Sequence, residues 1–319
     1  MATYKGIQGY SVQKLSDDPG TLSEVAGQLW YNSNSGKFKV GVLAAGAWSS
    51  GGALNTARYA NAGAGTSAAA LTFGGSENLD ITETYDGTSW TEVNDLNSGR
   101  DNMPGLGTNT AALCVGGEPI PAEGNLNEQW NGTAWTEVGD LNTPRARMGA
   151  CGTTTAGLVV GGMDAPPSVT DETETWDGTS WTEVNDLNTA RKNMGSAKAG
   201  TTTAALVYAG QSPSTVVIAE SYNGTSWAEE ADMNTARFGL GGAGVQTDAI
   251  AFGGSPTQAL TESYDGTSWT EVADLGTARY DLGSAGTTSA GIAIGGYPPT
   301  DATEEWEAAP VSAKTVTVS

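Results

Sequence analysis

The sequence predicts an all-β protein assembled from repeated small sheets, and three observations carry that prediction. The first is a cassette, Tyr85-Asp86-Gly87-Thr88-Ser89-Trp90, that returns around Trp135, Trp181, Trp227 and Trp269 at intervals of 45, 46, 46 and 42 residues. Periods in that range belong to stacked or ring-shaped repeats rather than to unrelated domains. The second is the Asp-Gly or Asn-Gly pair inside each cassette, which reverses a chain tightly because both residues tolerate positive φ. The third is composition: 45 glycines among 319 residues, with abundant Ala, Thr and Ser, suit short strands and turns and suit long helices poorly.

Residues 1–45 stand outside the period. Ser16-Asp17-Asp18-Pro19-Gly20 reads as a turn. Gln28-Leu29-Trp30-Tyr31, the turn residues 32–36 and Lys37-Phe38-Lys39-Val40 read as a β-hairpin. A lone hairpin is marginal in water, so this one needs a ring of sheets or another chain to pack on. Trp30, Tyr31 and Phe38 are its candidate docking residues.

From Leu54 each repeat can be written as four strands. The first follows an arginine (Arg58, Arg100, Arg145, Arg191, Arg237, Arg279) and is poor in large side chains, as expected where the innermost strands of a ring crowd its axis. The second ends in paired glycines such as Gly74-Gly75 and Gly116-Gly117, with Ala209-Gly210 as the one departure. The third carries Tyr85, Trp130, Trp176, Tyr222, Tyr264 or Trp306, and the fourth carries the tryptophan after the turn. Turn formation is the expected role of the cassette aspartates, and burial between sheets that of the tryptophans.

Trp306 has no fourth-strand tryptophan after it, whereas Trp48 lies upstream in a stretch matching the end of a repeat. The expected second domain is therefore 46–319, with residues 46–50 completing the sheet of 280–306 and 307–319 forming a tail strand. Such a clasp leaves no bare sheet edge. The alternating tail Lys314-Thr315-Val316-Thr317-Val318-Ser319 competes with Trp48 for that role.

A net charge of −22, from 36 acidic and 14 basic residues, leaves no basic surface for nucleic-acid phosphates. Solubility through self-repulsion accounts for the acidity, with a bound cation as the alternative. Histidine is absent, which removes the commonest general base and transition-metal ligand, so neither a metal nor a cofactor is expected. Cys114 and Cys151 occupy non-equivalent places and read as small buried fillers, with a disulfide left open. No apolar run approaches a membrane span, so no membrane insertion is expected, and the opening Met-Ala-Thr-Tyr-Lys-Gly lacks a signal peptide's hydrophobic region.

An arginine, a strand closing in Gly-Gly, an aromatic with Asp or Asn, and then a tryptophan, as in Arg100, Gly116-Gly117, Trp130 and Trp135, resembles the kelch repeat over residues 46–306. The resemblance implies a six-bladed β-propeller of four-stranded blades, closed by the strand near Trp48. Ala209 departs from the pattern, and the larger modules that accompany many animal kelch propellers are missing. The near-identical Asp-Gly-Thr-Ser-Trp-Thr-Glu-Val wording, with the opening Val25-Ala26-Gly27-Gln28-Leu29-Trp30-Tyr31-Asn32, is similar to kelch-type structural proteins of tailed bacteriophages, those of marine phages especially. That likeness implies a structural or adhesive virion protein (tail fibre, tail-associated protein or capsid appendage), made in the host cytoplasm. Its implied partners are other virion proteins and a host-surface glycan or protein, with several copies per particle.

Enzymatic alternatives meet specific obstacles. Copper radical oxidases, which use kelch-like propellers, need histidine. The Asp, Gly and Trp of the cassette resemble a sialidase Asp box, but the spacing differs. Sialidases also converge three arginines, whereas six of the seven here share one register and only Arg147 departs from it. A two-carboxylate glycosidase pair should break the repeat, yet Glu92, Glu137, Glu183 and Glu271 obey it. A phage-tail enzyme acting on polysaccharide and a bacterial kelch-type interaction module remain the alternatives to a non-enzymatic virion protein. Recognition is expected where the copies differ most, in the loops after Gly-Gly: Pro119, Ile120, Pro121, Met163, Asp164, Pro166, Ser212, Pro213 and Tyr297. Unconstrained loop drift explains the same variation.

Overall fold

A computed structural model describes residues 12–19, 28–43, 46–164, 166, 168–308 and 311–316. Every regular element among them is a β-strand. The strands form seven four-stranded sheets and one two-stranded hairpin. They belong to two units, residues 1–46 with 308–319, and residues 47–307.

In the first unit the hairpin of Leu29–Asn32 and Lys37–Leu43 turns through Gly36 at a φ of 68°, with the Ser35 amide donating to Asn32 Oδ1 at 2.8 Å. Gln13–Leu15 adds in parallel on one side and Val311–Thr315 antiparallel on the other. The tail strand thus pairs with the hairpin, while Thr317 to Ser319 lie outside the described residues. Asp18 accepts from Asn32 Nδ2 at 2.8 Å and Trp30 Nε1 at 3.1 Å, and these bonds, Asn32's foremost, hold its carboxyl below the usual carboxylate range.

The second unit holds six four-stranded antiparallel sheets in a propeller-like arrangement. The first comprises Ala62–Thr66, Ala69–Phe73, Thr82–Tyr85 and Trp90–Glu92, and the same order recurs over 105–138, 149–184, 195–229 and 241–271. The sixth takes Gly283–Thr287, Ala290–Ile294 and Thr303–Glu307 from late in the chain and Ala47–Ser50 from early in it, with Trp306 opposite Trp48. Each cassette turn is fixed by its first residue: Asp86 Oδ1 accepts the Thr88 and Ser89 amides at 2.8 Å. Those amides, Ser89's first, keep the exposed carboxyl below its ordinary range, as their counterparts do at Asp177 and Asp265. The third- and fourth-strand aromatics of each sheet then lie opposite each other across the strands. Tyr85 and Trp90 stack at 4.8 Å, and Trp48 and Trp306 meet at 5.5 Å. Cross-strand aromatic pairs of this kind contribute about 0.5–1.5 kcal/mol beyond their buried area.

Two repeated devices hold the sheets and the connections between them. Four of the six fourth-strand tryptophans donate to a threonine of the preceding sheet: Trp90 Nε1 to Thr303, Trp135 to Thr82, Trp227 to Thr173 and Trp48 to Thr261. Where Ala219 replaces the threonine, Trp269 turns to the Ala231 carbonyl. Trp181, opposite Asn127, has no acceptor. The second device is a fully buried arginine in every repeat, paired to a third-strand glutamate: Arg58 with Glu83, and Arg100–Glu128, Arg145–Glu174, Arg191–Glu220, Arg237–Glu262 and Arg279–Glu304 at 2.6–3.2 Å. The other carboxylate oxygen grips the incoming connection, as where Asn97 donates both its amide (2.8 Å) and its Nδ2 (2.7 Å) to Glu128. The Asn-Thr-Ala-Arg wording therefore encodes a buried clamp.

The Gly-Gly pairs follow from sterics. Gly116 has a φ of 54°, and a Cβ there would lie 2.4 Å from the Arg145 carbonyl oxygen. Ala209 occupies the same left-handed region at φ 57°, which costs an L-residue about 1–2 kcal/mol. Both cysteines are free and buried, Cys114 accepting from Arg100 Nε at 3.2 Å.

Candidate functional site

Each clamped arginine fixes the chain two residues further on, where Ala60, Asn102, Arg147, Asn193, Gly239 and Asp281 all adopt positive φ between 48° and 64°. Their backbones join in series: Ala60 N donates to Asp281 O, Asp281 N to Gly239 O, Gly239 N to Asn193 O, Asn193 N to Arg147 O, Arg147 N to Asn102 O and Asn102 N to Ala60 O, at 2.6–2.9 Å. These six residues surround a cavity of about 90 Å³ over the first strands. Below it the strands approach so closely that a Cβ on Gly63 would lie 2.7 Å from Ser284 O.

The identical backbones carry different side chains, and the difference is polarised. The residues just after the arginines are Tyr59, Asp101, Ala146, Lys192, Phe238 and Tyr280. Those just after the Gly-Gly positions, Ser76, Glu118, Met163, Gln211, Ser255 and Tyr297, pair beside them. On the fifth, sixth and first sheets this yields an aromatic run. Phe238 and Tyr280 are 6.4 Å apart, Tyr280 and Tyr297 5.1 Å, and Tyr297 and Tyr59 5.2 Å between centroids. Tyr297 is 38% exposed, so part of its ring is open to solvent.

On the second and fourth sheets the same positions are polar, and on the third, where they are Ala146 and Met163, the neighbouring Arg147 supplies the charge. Arg147 Nε donates to Glu118 Oε1 at 2.7 Å, Asn102 Nδ2 to Asp101 at 2.9 Å, and Asn193 Nδ2 to Gln211 Oε1 at 3.1 Å. Burial pushes the Asp101 carboxyl up. Burial is also the main cause raising Asp281 to about 6, with Arg147 opposing and Asp101 and Glu118 adding to the rise. Lys192 is lowered by burial and then by Arg147. Aromatic faces beside a rim of mixed donors and acceptors can hold a ligand whose surface alternates C–H and O–H groups.

The loop residues named from sequence fare unequally. Tyr297 belongs to the aromatic run. Pro119 and Pro121 are exposed with Ile120 half-buried between them, and Pro213 tips the small hairpin of Gln211–Ser212 and Ser214–Thr215, with Ser212 half-buried. Asp164 is half-buried and Pro166 exposed, whereas Met163 is buried, receiving Lys192 Nζ on its sulfur at 3.4 Å, and so lies beneath the surface. In the first unit Trp30 is buried, while Tyr31 and Phe38 are half-buried and pack at 5.2 Å. Trp30, its indole N–H donating to Asp18, is thus an interior residue where the sequence suggested an exposed one.

Sequence reading missed Tyr59, Phe238 and Tyr280. Their signal was available by reading down the column of residues after each arginine, where three neighbouring repeats carry aromatics and the other three do not. Among the described residues no group of three His, Cys, Asp or Glu side chains is placed to hold a metal. No family model matches the chain, and comparison with curated proteins finds no match.

Proposed function

We propose that the protein is a non-enzymatic virion component of a tailed bacteriophage, in which residues 47–307 form a closed, six-bladed, kelch-like propeller that binds a host-surface glycan. Support for a closed ring of six comes from the cyclic hydrogen-bond series, which returns from Asp281 to Ala60, and from Ala47–Ser50 completing the sixth sheet. Support for the virion comes from the repeat wording and the opening segment. The observation that carries the binding role is the aromatic run of Phe238, Tyr280, Tyr297 and Tyr59 beside the polar rim of Asn102, Arg147, Asn193 and Asp281. Pyranose rings stack their C–H faces on such aromatics and give their hydroxyls to such rims. The first unit, residues 1–46 with the tail strand, docks the protein to neighbouring virion chains.

The test is a calorimetric titration of the full chain with purified host envelope polysaccharides, with and without Tyr280→Ala and Tyr297→Ala. Saturable binding without product, weakened about tenfold or more by either substitution, is the expected result. Glycan turnover would make the protein an enzyme instead. Absence of binding by the folded chain would remove the glycan reading. Mass spectrometry of intact particles tests the virion assignment separately.

A further inference from the structure

The fourth repeat differs from the others along the axis itself. In five repeats the second strand's residue opposite the third-strand aromatic lies twelve positions after the arginine, as Ala70 follows Arg58. In the fourth, Ala205 lies fourteen after Arg191. The two extra residues fall at Lys198-Ala199, and the first strand breaks off after Gly195–Ser196. Ala197 still donates to Leu206 O at 3.0 Å, but Ala199 crosses to donate to Gly244 O of the next sheet at 2.8 Å. Lys198 is thereby turned inward. It lines the cavity beneath the mouth and also a second cavity of about 260 Å³ further along the axis.

Around it the walls are almost devoid of charge. The second cavity is lined by Gly, Ala and Thr with Leu106 and has no titratable group besides Lys198. The first adds only Arg147 and Asp281, at the mouth. The Cys151 thiol, which burial raises to about 12 and which therefore stays neutral, is the remaining titratable neighbour. Of the three ammonium protons, one reaches an acceptor, Gly105 O on the second sheet, at a long 3.5 Å. Desolvation lowers Lys198 to about 8, so the cation still predominates at neutral pH. An ammonium half-buried on a wall of neutral groups, with spare donors and no carboxylate beside it, favours an anionic guest.

We propose that Lys198 anchors a small monoanionic carboxylate in the axial channel. One positive charge among neutral walls balances one negative charge, and a dianion would leave its second charge uncompensated inside a strongly acidic protein. The 260 Å³ available is below the size of ordinary ligand pockets, which limits the guest to about ten heavy atoms. Nothing in this assignment depends on the glycan face.

The experiment is a pH titration of ¹³Cε-lysine resonances in the full chain, in zwitterionic buffer, with formate or acetate added to about 20 mM. Expected is a saturable rise of the Lys198 titration midpoint by about one pH unit, which is a tenfold preference of the carboxylate for the protonated amine, with the other six lysines unmoved. Affinity for acetate should then fall about tenfold in all as pH rises through the free and bound midpoints, and level off above them. Heating Lys198→Met and Lys198→Arg with and without acetate supplies the second arm: stabilisation retained in the arginine variant and lost in the methionine variant is expected. An unmoved Lys198 resonance, an equal response to sulfate and phosphate, or undiminished acetate stabilisation of Lys198→Met would each overturn the proposal.

Discussion

Two positions only two residues apart in every repeat behave in opposite ways. The arginine at 58, 100, 145, 191, 237 and 279 is the same residue six times, fully buried and paired each time to glutamate. The residue two further on has the same backbone six times but is Ala, Asn, Arg, Asn, Gly and Asp in turn. Repetition marks what holds sheets together, and its loss marks a surface free to acquire chemistry. A buried guanidinium tolerates no change without its partner, whereas a side chain at the mouth costs the fold little.

Breaking the clamp should have the largest effect. Arg145→Met strands Glu174 with its charge buried, and a loss of about 3–5 kcal/mol in denaturant unfolding is expected, with much of it recovered by Arg145→Met combined with Glu174→Leu. An equally mild double and single variant would show the clamp to be ornamental. The tryptophans sharpen the contrast at smaller scale. Trp135→Phe loses an indole bond to Thr82 that Trp181→Phe does not have to lose, so the first should cost about 1 kcal/mol more in paired chemical melts. At the mouth, Tyr280→Phe should change stability by less than about 0.5 kcal/mol, measured the same way.

The smallest expected effect is a pH slope. Asp281 binds its proton more tightly folded, at about 6, than a free aspartate does at about 3.9, so the folded state holds more protons between those values. Its contribution is fully present below about pH 4 and is lost as pH rises through 6. Asp281→Asn should flatten that part of the stability–pH curve, and an unchanged curve would place the titration elsewhere.

Much of the fold was legible because the repeat is nearly literal. The cassette turns, the four strands per copy, the buried tryptophans and the structural role of the six arginines all follow from residues that recur in register. Trp48 as the partner of Trp306 was readable too, since an aromatic third strand without its tryptophan left a vacancy that one upstream residue could fill. The tail was harder. Val311–Thr315 alternates like any edge strand, and nothing in its own residues distinguishes pairing with Lys37–Leu43 from pairing with another edge.

Sequence alone determined the all-β class, the repeat count and the turn chemistry, because these depend on neighbours within a few residues and on a period. Only tertiary structure decided that Tyr59, Phe238, Tyr280 and Tyr297, scattered over more than 230 positions, form one aromatic run, and that Lys198 lines two cavities between first strands. Those facts arise from bringing the sixth sheet beside the first and from a two-residue insertion with nowhere to go but inward. No local pattern of residues encodes either one, since both depend on where distant strands come to rest.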